Sequence, residues 1–91
     1  MADDAAFDWV KKYVYGLLRA LDDGRLDEAR HITAPGFVAD GLQGLGVGDS
    51  VMQRTIELAQ MAHDCLNSRP ADDSGAWNAV RAIGRLWDMH E

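Results

Sequence analysis

Apolar positions recur along this chain at intervals of three and four residues, the period of a helix with one buried face. From about Asp4 to Asp23, the residues Phe7, Val10, Val14, Leu17, Leu18 and Leu21 hold that spacing. Asp4 is placed to cap the start, and Gly24 to stop the end in a left-handed turn. A short helix is predicted over Leu26–Ile32, closed by Ala34-Pro35-Gly36. The next begins at Ser50, where Ser50-Val51-Met52-Gln53 fits the S-x-x-Q capping box. It carries two adjoining stripes, Met52, Ile56, Ala59 and Leu66 on one, and Val51, Leu58, Ala62 and Cys65 on the other. It should end near Asn67-Ser68, before Pro70. The last starts between Pro70 and Gly75 and runs to the C-terminus. Its face holds Trp77, Val80, Gly84 and Trp87, widened by Ile83 and Leu86. No alternating run of β-branched residues argues for a strand. The pattern predicts an all-α fold in one domain over residues 1–91: a small helical bundle of three longer helices and one short helix, with a Gly-rich connecting loop. Leu17, Leu21, Ile56, Leu66, Val80 and Trp87 are the expected centre of its core.

Two features exceed what such a bundle needs. On the first helix Trp9, Tyr13 and Tyr15 fall off the main stripe. Trp9 and Tyr13 are i,i+4 neighbours, and Gly16 and Ala20 continue their line, so another helix could approach closely there. Aromatic residues are enriched where protein interfaces form. The alternative is that the core wraps this helix on both sides. The second feature is the stretch 34–48, which holds five of the nine glycines yet also Phe37, Val38, Leu42, Leu45 and Val47. A structureless stretch of that length is unusual in a small domain. Either a short helical turn forms near Phe37–Leu42, or the loop has a task. Its apolar residues are read as a lid on the core, or as a patch for a partner.

Charge narrows the partner. Of 91 residues fifteen are acidic and nine basic, giving a net charge of −6. Only Lys11 and Lys12 are lysines and the arginines are scattered, so the phosphates of nucleic acid find no basic cluster to bind. No apolar run approaches the ~20 residues of a membrane-spanning helix. Met1-Ala2-Asp3-Asp4 lacks the basic start of a secretory leader. Cys65 is the lone cysteine, which suits a reducing compartment, and a cytoplasmic location is expected.

Glycines 41, 44, 46 and 48 precede a helix start, where a phosphate could sit. No strand or Walker-type lysine accompanies them, and Asp49 puts negative charge in that place. The same stretch resembles a helix-turn-helix: Leu45-Gly46-Val47, then Val51, Arg54 and Ile56, look like the turn and recognition helix of bacterial repressors. Thr55 stands where a buried aliphatic is usual, and Asp49, Glu57 and Asp64 oppose groove docking. A further stretch, Ala20-Leu21-Asp22-Asp23-Gly24-Arg25-Leu26-Asp27-Glu28-Ala29-Arg30 with Ala34-Pro35-Gly36-Phe37-Val38, resembles the opening of the nuclear-transport-factor-like, SnoaL-type cone folds. That resemblance implies a first strand entered at Phe37. The catalytic residues of those folds lie largely on later strands. This chain has a helix with Trp77 and Trp87 in their place, so none is carried over.

Titratable candidates are few. His63, Asp64 and Cys65 are consecutive and would point in different directions on a helix. Cys65 reads as a small core residue, and His31 and His90 have no partner at metal-ligand spacing. No catalytic motif is present. The expected function is non-enzymatic, with no cofactor and no metal. It is that of a protein-binding regulator, an anti-activator or inhibitor of the kind that many small acidic bacterial and phage proteins are. Its binding residues are expected to be Trp9, Tyr13, Gly16, Phe37, Leu42, Leu45 and Val47, and it is expected to form a homodimer. A DNA-binding regulator is the alternative, as is a bundle that holds a small molecule between Trp77 and Trp87.

Overall fold

The computed structural model describes residues 3–34 and 36–88. Pro35 and His90 lie outside them. Five helices make up the architecture: α1 (Asp3–Asp22), α2 (Leu26–Ile32), α3 (Phe37–Leu42), α4 (Asp49–Asn67) and α5 (Asp73–Leu86). No strand occurs among the described residues. The three long helices do not form a ring. α5 packs most extensively on α4 and next on α1, while α2 and α3 bridge α1 to α4. One continuous core runs through all five.

The α1–α2 junction follows from one glycine. Gly24 takes φ +76. The Arg25 N–H then reaches the Ala20 carbonyl at 2.8 Å and the Gly24 N–H reaches Leu21 at 3.2 Å. These two bonds satisfy carbonyls that the helix end leaves open. α2 spans the seven residues expected of it, with Ala29 buried. Arg30 Nε donates to the Leu66 carbonyl at 3.1 Å, so α2 closes the C-terminal end of α4. At the start of α5, Asp72 accepts from the Gly75 N–H at 2.9 Å. A side-chain cap of that kind fixes where a helix begins.

Of the two alternatives for the glycine-rich stretch, the short helix over Phe37–Leu42 forms: Val38 and Leu42 are buried at i,i+4, and the Asp40 N–H closes on the Gly36 carbonyl at 2.8 Å. Burying two apolar side chains favours that turn over an open loop. It makes two short helices where one was expected, and other expectations need correction too. Phe37 therefore opens a helix, and the strand implied by the cone-fold resemblance is absent. α4 starts at Asp49 with Gly48 before it and no side-chain cap, so the Ser50 capping box does not form. Asp4 lies inside α1, which already includes Asp3.

The buried face of α1 is Ala6, Val10, Tyr13, Val14, Leu17, Ala20 and Leu21. Tyr13 thus belongs to the core stripe, because α2 and α3 cover the flank that the sequence left open. On α4 the buried residues are Thr55, Leu58, Ala59, Ala62 and Leu66. Four of them come from the facing edges of the two stripes read from sequence and Thr55 lies between, so Ile56, on an outer edge, is only half-buried. On α5 the face centres on Ala76, Ala79, Val80, Ile83 and Gly84, with Trp87 half-buried at its end. Small residues at 76, 79 and 84 let α5 fit between α1 and α4.

Thr33 and Thr55 are the buried polar side chains of the described core. Thr55 Oγ1 donates to the Val51 carbonyl at 2.7 Å and accepts from Trp87 Nε1 at 2.9 Å. Thr33 Oγ1 donates to the Ala29 carbonyl at 2.8 Å and lies 3.1 Å from His63 Nδ1. The Thr33–His63 hydrogen bond runs in the direction that the imidazole tautomer sets. Each threonine therefore turns its own helix inward and anchors a ring from another element. No described helix is long and apolar enough to cross a membrane.

Candidate functional site

The i,i+4 spacing on α1 stacks Trp9 on Tyr13, with ring centroids 5.1 Å apart and planes 15° apart. α3 begins beside them. Its first residue, Phe37, places its ring 6.1 Å from Trp9 and 6.0 Å from Tyr13. His31 of α2 meets Phe37 edge-on at 6.1 Å. One glycine makes this possible. A Cβ at position 41 would overlap the Trp9 indole, so the ring rests directly on the backbone of α3. Any other residue there would push the indole outward.

The result is a groove of about 300 Å³, lined by Trp9, Lys12, Tyr13, Gly16, Ile32 and Phe37. Gly16 is exposed, and a Cβ built there meets nothing within 4 Å. The missing side chain is the gap in the groove wall. Trp9, Ile32 and Phe37 are half-buried, so each presents apolar surface to solvent while being held by the core. Tyr13 is buried, and its hydroxyl has no hydrogen-bond partner among the described residues. Burial pushes its phenol far up, since an apolar surround penalises the phenolate. It stays neutral at any physiological pH.

Four of the expected binding residues, Trp9, Tyr13, Gly16 and Phe37, meet here. The others do not. Leu42 is buried in the core on α3, so it cannot serve as a contact surface while α3 is folded. Leu45 is half-buried against the same core. Val47 borders a different depression of about 330 Å³ with Phe7, Val51, Leu86 and Trp87. Trp77 borders a third with Asp73, Ser74 and Asn78. Trp77 and Trp87 thus border separate depressions among the described residues. Sequence reasoning missed Ile32, Lys12 and Gly41. The signal for Gly41 was a glycine between Val38 and Leu42, where a helix former would otherwise be expected.

The remaining candidates disperse. His63 turns to Thr33, Asp64 accepts from Gln60 at 3.0 Å, and Cys65 packs beside Gly75. Burial, then Asp72 and Asp64, raise the Cys65 thiol above the usual range, which keeps it protonated and weakly nucleophilic. No group of three metal-ligating side chains gathers among the described residues. The segment 43–48 between α3 and α4 is longer than the turn of about three or four residues in a helix-turn-helix. Arg54 is engaged by Glu57 at 3.2 Å. No family model, no curated protein and no solved structure matches this chain.

Proposed function

We propose that this chain is a non-enzymatic protein-binding regulator, of the anti-activator or inhibitor type, which docks through the groove between α1, α2 and α3. One observation carries the reading: three half-buried apolar side chains, Trp9, Ile32 and Phe37, surround a gap left by Gly16. The Trp9 ring is already seated, by stacking on Tyr13 and by the Gly41 backbone, so a partner need not freeze it. Rigid aromatics around a concave spot are the usual makings of an interface hot spot.

The test is capture from a lysate of the source organism on immobilised wild type and on Trp9→Ala. A protein retained by the first and lost by the second supports the reading. Identical retention by both rejects it.

A second copy of the chain is the other occupant. It is favoured by Gly16, exposed on α1 with nothing within 4 Å of a Cβ built there, which lets a second α1 approach closely in a two-fold contact. Light scattering at twice the chain mass, returning to the single mass in Trp9→Ala, supports that arrangement.

A further inference from the structure

We infer that the groove takes an acidic, apolar segment of a partner protein: a long aliphatic or aromatic side chain seated between Trp9, Ile32 and Phe37, with a carboxylate held by Lys12. The inference rests on the docking role proposed above and names the chemistry of the occupant. Charge complementarity carries it. The chain is acidic overall at −6. Three of its arginines are matched by its own acids: Arg25 by Asp23 and Glu28, Arg30 by Asp27, Arg54 by Glu57.

Of the other cations, Arg69, Arg85 and, on α1, Lys11, Lys12 and Arg19 are exposed and make no ion pair among the described residues, so α1 is where three of them gather. Both lysines of the sequence are therefore here. Lys12 is the one charged side chain among the described residues that line the groove. Arg19 follows Lys12 by seven residues and Gly16 by three, which puts it on the same side of the helix. Asp8 lies at i,i+4 before Lys12, the spacing of a helical ion pair, but does not pair with it, and Asp40 follows Phe37 by three; neither lines the groove.

An ammonium at the edge of an apolar surface attracts a carboxylate more strongly than one in open water, because low-dielectric walls screen less. A basic segment would meet Lys12 and Arg19 as like charges. A neutral one would leave both cations without gain. The apolar lining supplies affinity and Lys12 supplies discrimination, the usual division between core and rim of an interface.

The test is selection of a random peptide display library on the wild-type protein, with rescreening on Gly16→Leu and Lys12→Glu. Both sites are exposed, and a Cβ at 16 meets nothing within 4 Å, so neither variant is expected to melt below the wild type. Selected peptides are expected to join an aromatic or long aliphatic residue to Asp or Glu within one helical turn. They should bind Lys12→Glu about tenfold more weakly, as reversal of a rim charge does, and lose binding to Gly16→Leu. Neutral or basic peptides that are lost on Gly16→Leu would overturn the acidic occupant and leave the docking groove standing. Peptides indifferent to Gly16→Leu, or no peptides at all, would remove both. Self-association of the wild type, abolished by Gly16→Leu, would assign the groove to a second copy and overturn the inference.

Discussion

Around Thr55, where α4 meets α5, the buried polar groups find partners. Its hydroxyl serves two bonds, and the Trp87 indole N–H ends on it. Around Tyr13, where α1 meets α2 and α3, a buried hydroxyl has no hydrogen-bond partner among the described residues. Both residues sit on the core stripe of a long helix. The difference lies in what covers them. Thr55 is enclosed by two long helices whose side chains interlock, while Tyr13 is covered by two short helices that stop at an open groove. The chain closes one side tightly and leaves the other with aromatic rings half in water. An unpaired buried hydroxyl costs about 1–3 kcal/mol relative to a satisfied one.

The contrast can be broken first by truncation. Leu66→Ala removes a fully buried side chain on the closed side. It should destabilise by about 2–5 kcal/mol in denaturant unfolding. Phe37→Ala, on the half-solvated groove, should cost clearly less. Equal costs would mean the groove is part of the core.

Thr55→Val tests the closed side more finely. It keeps the shape but leaves the Trp87 N–H without its acceptor, and should cost about 1–3 kcal/mol. In a double-mutant cycle with Trp87→Phe the two losses should be less than additive. Full additivity would deny the bond.

Gly41→Ala addresses the groove side. The new methyl displaces the Trp9 indole from its seat. Crowding of this kind costs about 1–3 kcal/mol, offset by about 1 kcal/mol of helix propensity. The near-ultraviolet circular dichroism of the stacked rings should fall even where stability barely changes. An unchanged spectrum would show the indole is not where Gly41 permits it.

Tyr13→Phe should be the reverse of Thr55→Val. It deletes an unpartnered hydroxyl, so the melting temperature should hold or rise. A loss above about 1 kcal/mol would reveal a partner for that oxygen. The smallest effect concerns Cys65, whose thiol is raised by burial and two carboxylates. Alkylation should be slow at neutral pH and should accelerate only above the ordinary thiol range. Rapid labelling at neutral pH would mean the α4–α5 side opens.

What the sequence determined is local. The periods of three and four are visible in any stretch of helix, so α1, α4 and α5 were legible, as was Gly24 as the end of α1. The seven residues of α2 and the i,i+4 pairing of Trp9 with Tyr13 were legible for the same reason. Only tertiary structure decided which flank of each helix is covered. The phase of α4 shifted so that Thr55, a poor core residue by composition, became fully buried and Ile56 did not. Its position was chosen by the Trp87 indole arriving from α5, a residue 32 places away. Tyr13 entered the core because α2 and α3 folded over it, and Leu42 left the candidate surface for the same cause. A period shows that a face is buried. Which neighbour buries it depends on contacts between residues far apart in the chain, and those are energies of packing that no local spacing records.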